Sequence, residues 1–251
     1  MSKLVKKLKR PPYVHNLVRY IKDDVDSTTK ALVSFAKGYP LYTYVAGNSI
    51  IFDRLLLNLD RNTAMKAVLN KGHKNSRMHN SEYIKAFYDF DEDRGLSRMP
   101  AFDQMVAPYR INREISVPVK PLAVLTESGR LNAIFSVGWQ TMPLSNMQWR
   151  LLMTMMEDAV FTLTDFHDAH GEFCSFPRSI KTDKNSRKPQ IVKRGDFDLL
   201  SKAVMQEKLD IYLQALEKAR LILSEIVEET DINKPQPPKE GDQRIFPFLR
   251  P

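Results

Sequence analysis

The chain has 251 residues, 43% of them hydrophobic, enough for one large domain or one domain with appendages around an ordinary core. Lysine and arginine number 38 against 30 acidic residues, and the resulting +8 favours polyanionic partners such as nucleic acid or an anionic membrane surface. The lone Cys174 excludes an intramolecular disulfide and fits a reducing compartment, and no apolar run approaches the length of a membrane span.

Residues 1–12 carry Lys3, Lys6, Lys7, Lys9 and Arg10 without an acid, and Pro11 and Pro12 stop a helix from running through. This predicts a flexible basic arm. No apolar segment of signal-peptide type follows it, so a soluble, intracellular, cytoplasmic protein is expected. Val14, Leu17, Val18 and Ile21 mark an amphipathic helix that ends at Asp23 and Asp24. Asp26 or Ser27 caps a second helix, which carries Ala31, Leu32 and Phe35 and stops at Gly38 before Pro40. Leu41 to Val45, LYTYV, reads as a short strand, and Gly47-Asn48 as a turn. Ser49 to Leu59 suits either a strand or a helix. Asn62 or Thr63 opens a helix ending at Gly72, and Ser81 to Phe90, again of either type, runs into the acidic turn DFDEDRG. Residues 96–115 show no clear period.

The best β-signal follows: Val117 to Glu127 and Leu131 to Trp139 are apolar, β-branched runs around Ser128-Gly129, which is hairpin chemistry. The strongest helix signal is Ser145 to Gly171. Ser145 and Gln148 have capping-box spacing, and Trp149, Leu152, Met153, Met156, Val160 and Leu163 repeat at three and four. A second apolar face, Met147, Leu151, Met155, Ala159 and Phe166, predicts a helix buried between layers, with Gly171 as its left-handed C-cap. Residues 172–195 read as a long loop or loose hairpin. Asp196 then caps a long helix to about Glu229, with Leu209, Leu213, Leu216, Leu223 and Val227 in a near-heptad stripe interrupted by Arg220.

These elements predict an α+β fold: an antiparallel sheet containing a 117–139 hairpin, packed on two long helices (145–170 and 197–229), with a helical N-terminal part and a disordered C-terminal tail. The domain is expected over 13–229, between the 1–12 arm and a Pro-rich tail, 230–251, that ends in Ile245, Phe246, Phe248 and Leu249.

The charge is uneven. Residues 1–10, 61–80 and 172–195 carry +5 each, so the rest of the chain holds −7. Positive charge gathered in loop-like segments is what a polyanion-binding face requires, because each neutralised phosphate releases condensed counterions. Tyr42 and Tyr44, two apart on the expected strand, face one side and would stack unpaired bases, with Tyr39 beside them and Phe173 and Phe176 as further candidates. The same tyrosines also suit an ordinary half-buried strand. No helix-turn-helix, zinc-finger spacing or basic zipper points to a reader of duplex DNA. The first reading is therefore a non-enzymatic protein that binds single-stranded nucleic acid, RNA favoured over DNA. Its contacts would be Lys6, Lys7, Lys9, Arg10, Tyr42, Tyr44, Lys71, Lys74, Arg77, Arg178, Lys181, Lys184, Arg187, Lys188, Lys193 and Arg194.

Two alternatives stand beside it. A scaffold or adaptor would form a homo-oligomer through the C-terminal helix and hold a protein partner with the tail. A metal-dependent nuclease or phosphohydrolase would use Asp165, His167, Asp168 and His170, or the carboxylates Asp89, Asp91, Glu92 and Asp93. Against the latter, histidines suit a helix C-terminus and an acidic turn suits solvent. The chain has no P-loop, dinucleotide-binding glycine pattern or nucleophile elbow, so no catalytic, cofactor-binding or metal residue is assigned and no membrane is expected.

Overall fold

A computed structural model describes residues 3–38, 43–71, 73–94, 98–102 and 105–232. The fold is α+β. Among the described residues eight α-helices run α1 (Lys3–Leu8), α2 (Val14–Leu17), α3 (Val25–Lys37), α4 (Val45–Leu57), α5 (Arg61–Asn70), α6 (Lys74–Arg94), α7 (Asn146–Met156) and α8 (Lys202–Ile232). Seven strands run β1 (Arg98–Phe102), β2 (Ala107–Arg110), β3 (Ser116–Val119), β4 (Ala123–Glu127), β5 (Arg130–Val137), β6 (His170–Ser175) and β7 (Gln190–Lys193). The main sheet has the order β1-β4-β5-β6-β7, and β2 and β3 form a separate pair. Within the main sheet β5 and β6 are parallel, joined over the top by α7, and the other neighbours are antiparallel.

Alternation along the strands sends side chains into two cores. Val124, Phe135, Phe173 and Val192 face the layer made by α1, α3, α7 and α8. Leu125, Ile134 and Cys174 face the layer made by α4, α5 and α6. A sheet buried on both faces explains why β4 and β5 read as apolar, β-branched runs.

The predicted hairpin is β4–β5. Ser128 and Gly129 both have positive φ, 50° and 80°, the mirror-image turn that matches the strand twist. Its expected first strand is split, however. Pro118 and Pro121 have no N–H to give a central ladder, so Val117 and Val119 leave the main sheet and pair with β2. Residues 172–195 resolve into β6, an ordered loop and β7, the hairpin form of the expectation.

Several expectations are corrected. The predicted basic arm is helical over Lys3–Leu8 and buries Val5 and Leu8, at 7% and 3% exposure, in the same core as α3 and α8. LYTYV does not form a strand in its described part: Tyr44 is the N-cap of α4, and Val45 is helical. Gly47 lies inside α4, where a Cβ would sit 2.6 Å from Asn80 Oδ1 and 2.9 Å from the Tyr83 ring; it permits close helix approach rather than a turn. The core helix has the capping box at Ser145 and Gln148 but ends early, widening to a π-type turn over Glu157–Phe161. Gly171 is not its cap. It sits in β6, where a Cβ would meet the Phe161 ring at 2.5 Å. Asp196 does not cap α8 but accepts from the Lys193 amide at 2.8 Å, and α8 begins at Lys202. The stripe expected to pair α8 between chains packs inward: Leu209, Leu216 and Leu223 are 6%, 1% and 0% exposed within the α3-side core. The tail from residue 233 lies outside the described residues.

Candidate nucleic-acid interface

Parallel strands β5 and β6 both run toward the same end of the sheet, where Gly138–Gln140 and the loop 176–189 leave it. Such carboxyl ends are where connections diverge and open sheets hold ligands. Helix α6 brings the charged segment 74–82 to that end. Glu82, 7% exposed in its side chain, is the clasp. It accepts from Arg178 in bidentate fashion, Nη2 on Oε1 at 2.8 Å and Nε on Oε2 at 3.1 Å, and from Arg187 Nε at 3.4 Å. Helix α6, whose first turns carry Lys74 and Arg77, is thereby tied to the 172–195 segment.

Arg187 is not a ligand-facing cation. Its side chain is 1% exposed. It donates to the carbonyls of Phe176 at 2.7 Å, Gly138 at 3.1 Å and Trp139 at 3.3 Å, and to the Tyr44 hydroxyl at 3.1 Å. Arg's planar fork can serve several acceptors at once, which is why it and not Lys sits here. Next to it, Gln140 accepts the Arg178 amide at 2.9 Å and pairs through Nε2 with His79 Nδ1 at 2.7 Å. Burial lowers the His79 pKa; Arg178, Arg187 and Lys184 push it the same way while Glu82 opposes them.

The loop is held by its own hydrogen bonds. Ser179 N and Oγ both donate to Ser186 O at 2.9 Å, Ile180 N donates to Ser186 Oγ at 3.1 Å, and Lys188 N donates to Pro177 O at 3.0 Å. Its remaining cations, Lys181, Lys184 and Lys188, are exposed, as is Lys74 at the start of α6. Lys71 is exposed with its ammonium on Ser49 Oγ at 2.8 Å, and Arg77 is half-buried.

Other predicted contacts are occupied or elsewhere. Lys7 donates to the Phe35 and Gly38 carbonyls at 2.7 and 2.6 Å, capping α3; Lys6, Lys9 and Arg10 remain exposed. Lys193 and Arg194 stand at the opposite end of the sheet, since Lys193 pairs across from Glu172. Arg194 is bound by Glu157 at 2.5 and 2.9 Å and by the His167 and Ala169 carbonyls. The stacking residues fare worse. Tyr42 lies outside the described residues, Tyr44 is half-buried against Gly138 and Tyr83, and Phe173 and Phe176 are core residues at 1% and 0%. Glu82, His79 and Gln140 carry no motif; only the placement of Gln140 just after a buried strand hinted at them.

Of the acidic groups named for metal chemistry, Asp89, Asp91 and Glu92 are engaged in ion pairs. Asp89 and Glu92 pair with Arg61, and Asp91 with Arg54 at 2.8 Å. His167 pairs with Asp168 at 3.2 Å on the surface. Arg94 ties Glu172 and Glu127 together at 2.7 and 3.3 Å beside a cleft of about 760 Å3. Among the described residues no three His, Cys, Asp or Glu side chains are placed to hold a metal ion. Cys174 is buried, and burial pushes its thiol pKa far up, away from a reactive thiolate. No described helix is long and apolar enough to cross a membrane. No protein-family model, curated protein or solved structure matches the chain.

Proposed function

We propose that the chain binds nucleic acid through its phosphate backbone, using the exposed lysines of the 176–189 loop and of the start of α6. One observation carries the reading: Glu82 ties α6, the helix that begins at Lys74, to the 176–189 loop about a hundred residues on, leaving Lys74, Lys181, Lys184 and Lys188 to solvent. Ordered loop cations lose less freedom on binding than a flexible arm does. The arrangement offers charge without base-reading geometry, so affinity is expected to be salt-dependent and insensitive to sequence.

The stacking partners named from sequence do not support a strand preference, because the described ones are buried or hydrogen-bonded. The test is fluorescence anisotropy of labelled single-stranded RNA, single-stranded DNA and duplex DNA at low and high salt. Tight binding that weakens steeply with salt is expected. Absence of binding at low salt would dismiss the reading.

A further inference from the structure

We propose that Tyr13 is a stacking platform for an unpaired base, which makes single-stranded nucleic acid the preferred ligand; this rests on the nucleic-acid reading above. Tyr13 is an exposed aromatic residue, at 44%. Its ring is not loose. It stacks on His15 at 6.0 Å between centroids and 17° between planes. His15 in turn is held edge-on by Trp139 at 5.9 Å and by Phe173 at 6.2 Å. The Arg19 guanidinium lies 5.2 Å over Trp139.

The backbone is fixed as well. Tyr13 follows Pro11 and Pro12, has an extended conformation (φ −50°, ψ 148°), and its carbonyl accepts from Asn16 and Leu17 as α2 begins. A ring fixed in advance loses little entropy when a base settles on it, and every base has a π-face, so the contact tolerates any sequence.

Position ties the ring to the basic face. Trp139, the support of His15, accepts Arg187 on its carbonyl, and the next residue, Gln140, holds both the Arg178 amide and His79. The third basic segment arrives by the same route, since the exposed Lys9 and Arg10 immediately precede Pro11-Pro12-Tyr13. Gly138–Gln140 is therefore tied through the Trp139 ring to His15, which carries Tyr13, and through its backbone to Arg187 and Arg178 of the basic loop. Cations for phosphates beside a ring for bases is the composition of a single-strand site, whereas a duplex keeps its bases stacked on one another.

The test uses the full chain, a labelled oligouridylate and a labelled RNA duplex of equal length. Tyr13→Leu, a change at an exposed position, is expected to weaken oligouridylate binding about 5- to 150-fold, the range for losing one base–aromatic stack. Tyr13→Phe should keep wild-type affinity. Duplex binding and the salt slope should stay unchanged in both variants, because no phosphate contact is touched. If Tyr13→Leu binds oligouridylate as wild type does while changing Lys181, Lys184 and Lys188 weakens it, the platform is refuted and the phosphate reading stands. If the wild type binds neither probe, both fall together.

Discussion

Arg187 separates a structural cation from a ligand-facing one, and its substitution has a calculable cost. In Arg187→Ala three carbonyls, those of Phe176, Gly138 and Trp139, lose a charged donor, as does the Tyr44 hydroxyl. Glu82 keeps only Arg178, in a site where both side chains are 11% exposed or less. Removing one partner of a buried ion pair costs about 3–5 kcal/mol, because the groups left behind stay desolvated and unpaired. For a chain of this size that corresponds to a fall in Tm of roughly 6–20 °C. Arg187→Lys should recover little, since one ammonium cannot span five acceptors. Thermal denaturation followed by circular dichroism is the assay, with Lys184→Ala beside it as an exposed control expected to shift stability by less than about 0.5 kcal/mol. An Arg187→Ala protein that melts with the wild type would refute the assignment of this guanidinium to the fold.

Three further outcomes follow from local geometry. Burial, with Arg19 adding to it, pushes the His15 pKa down from 6.5 to about 4. Between those values the unfolded chain binds the extra proton, so stability is complete above about pH 6.5 and falls toward pH 4 by up to about 3 kcal/mol. Urea denaturation across that range should show the slope in the wild type and a flatter one in His15→Phe; equal slopes would contradict it. Ser145→Ala removes the acceptor of the Gln148 amide and should cost about 1 kcal/mol by urea denaturation, through loss of the α7 capping box. Gly171→Ala drives a methyl group into the Phe161 ring, itself pinned under Arg194 at 4.5 Å, and should cost about 1–3 kcal/mol by the same measurement.

What was legible in the sequence was what local chemistry decides. The Ser145–Gln148 capping box and the Ser128-Gly129 hairpin depend on residues a few positions apart, and both form as read. Glycine was misread because its signals are shared: Gly47 looks like a turn and Gly171 like a C-cap, yet both exist to admit a ring or amide from a distant element. The fate of each cation was equally hidden. Arg178, Arg187 and Lys188 look alike in composition, but only contacts with residues 11 to 105 positions away show that Glu82 and three carbonyls consume the first two. The same holds for aromatics. Phe176 and Tyr13 are both rings near basic residues, and the sheet buries one while two prolines hold the other at the surface.

The central claim is that binding depends on where the positive charge sits. It is tested most directly by the salt dependence of oligonucleotide affinity in two charge-matched variants. One changes Lys181, Lys184 and Lys188 to Ala. The other changes Arg130, Lys193 and Lys202, of which Arg130 lies at the far end of β5, about 26 Å from Gly138 at strand spacing. The loop variant should lose affinity, and its slope of log K against log salt should shrink by about 2, the share of three phosphate contacts on a single strand, while the second variant keeps the wild-type slope. Equal losses in both variants would show that net charge alone attracts the ligand and would contradict a defined face.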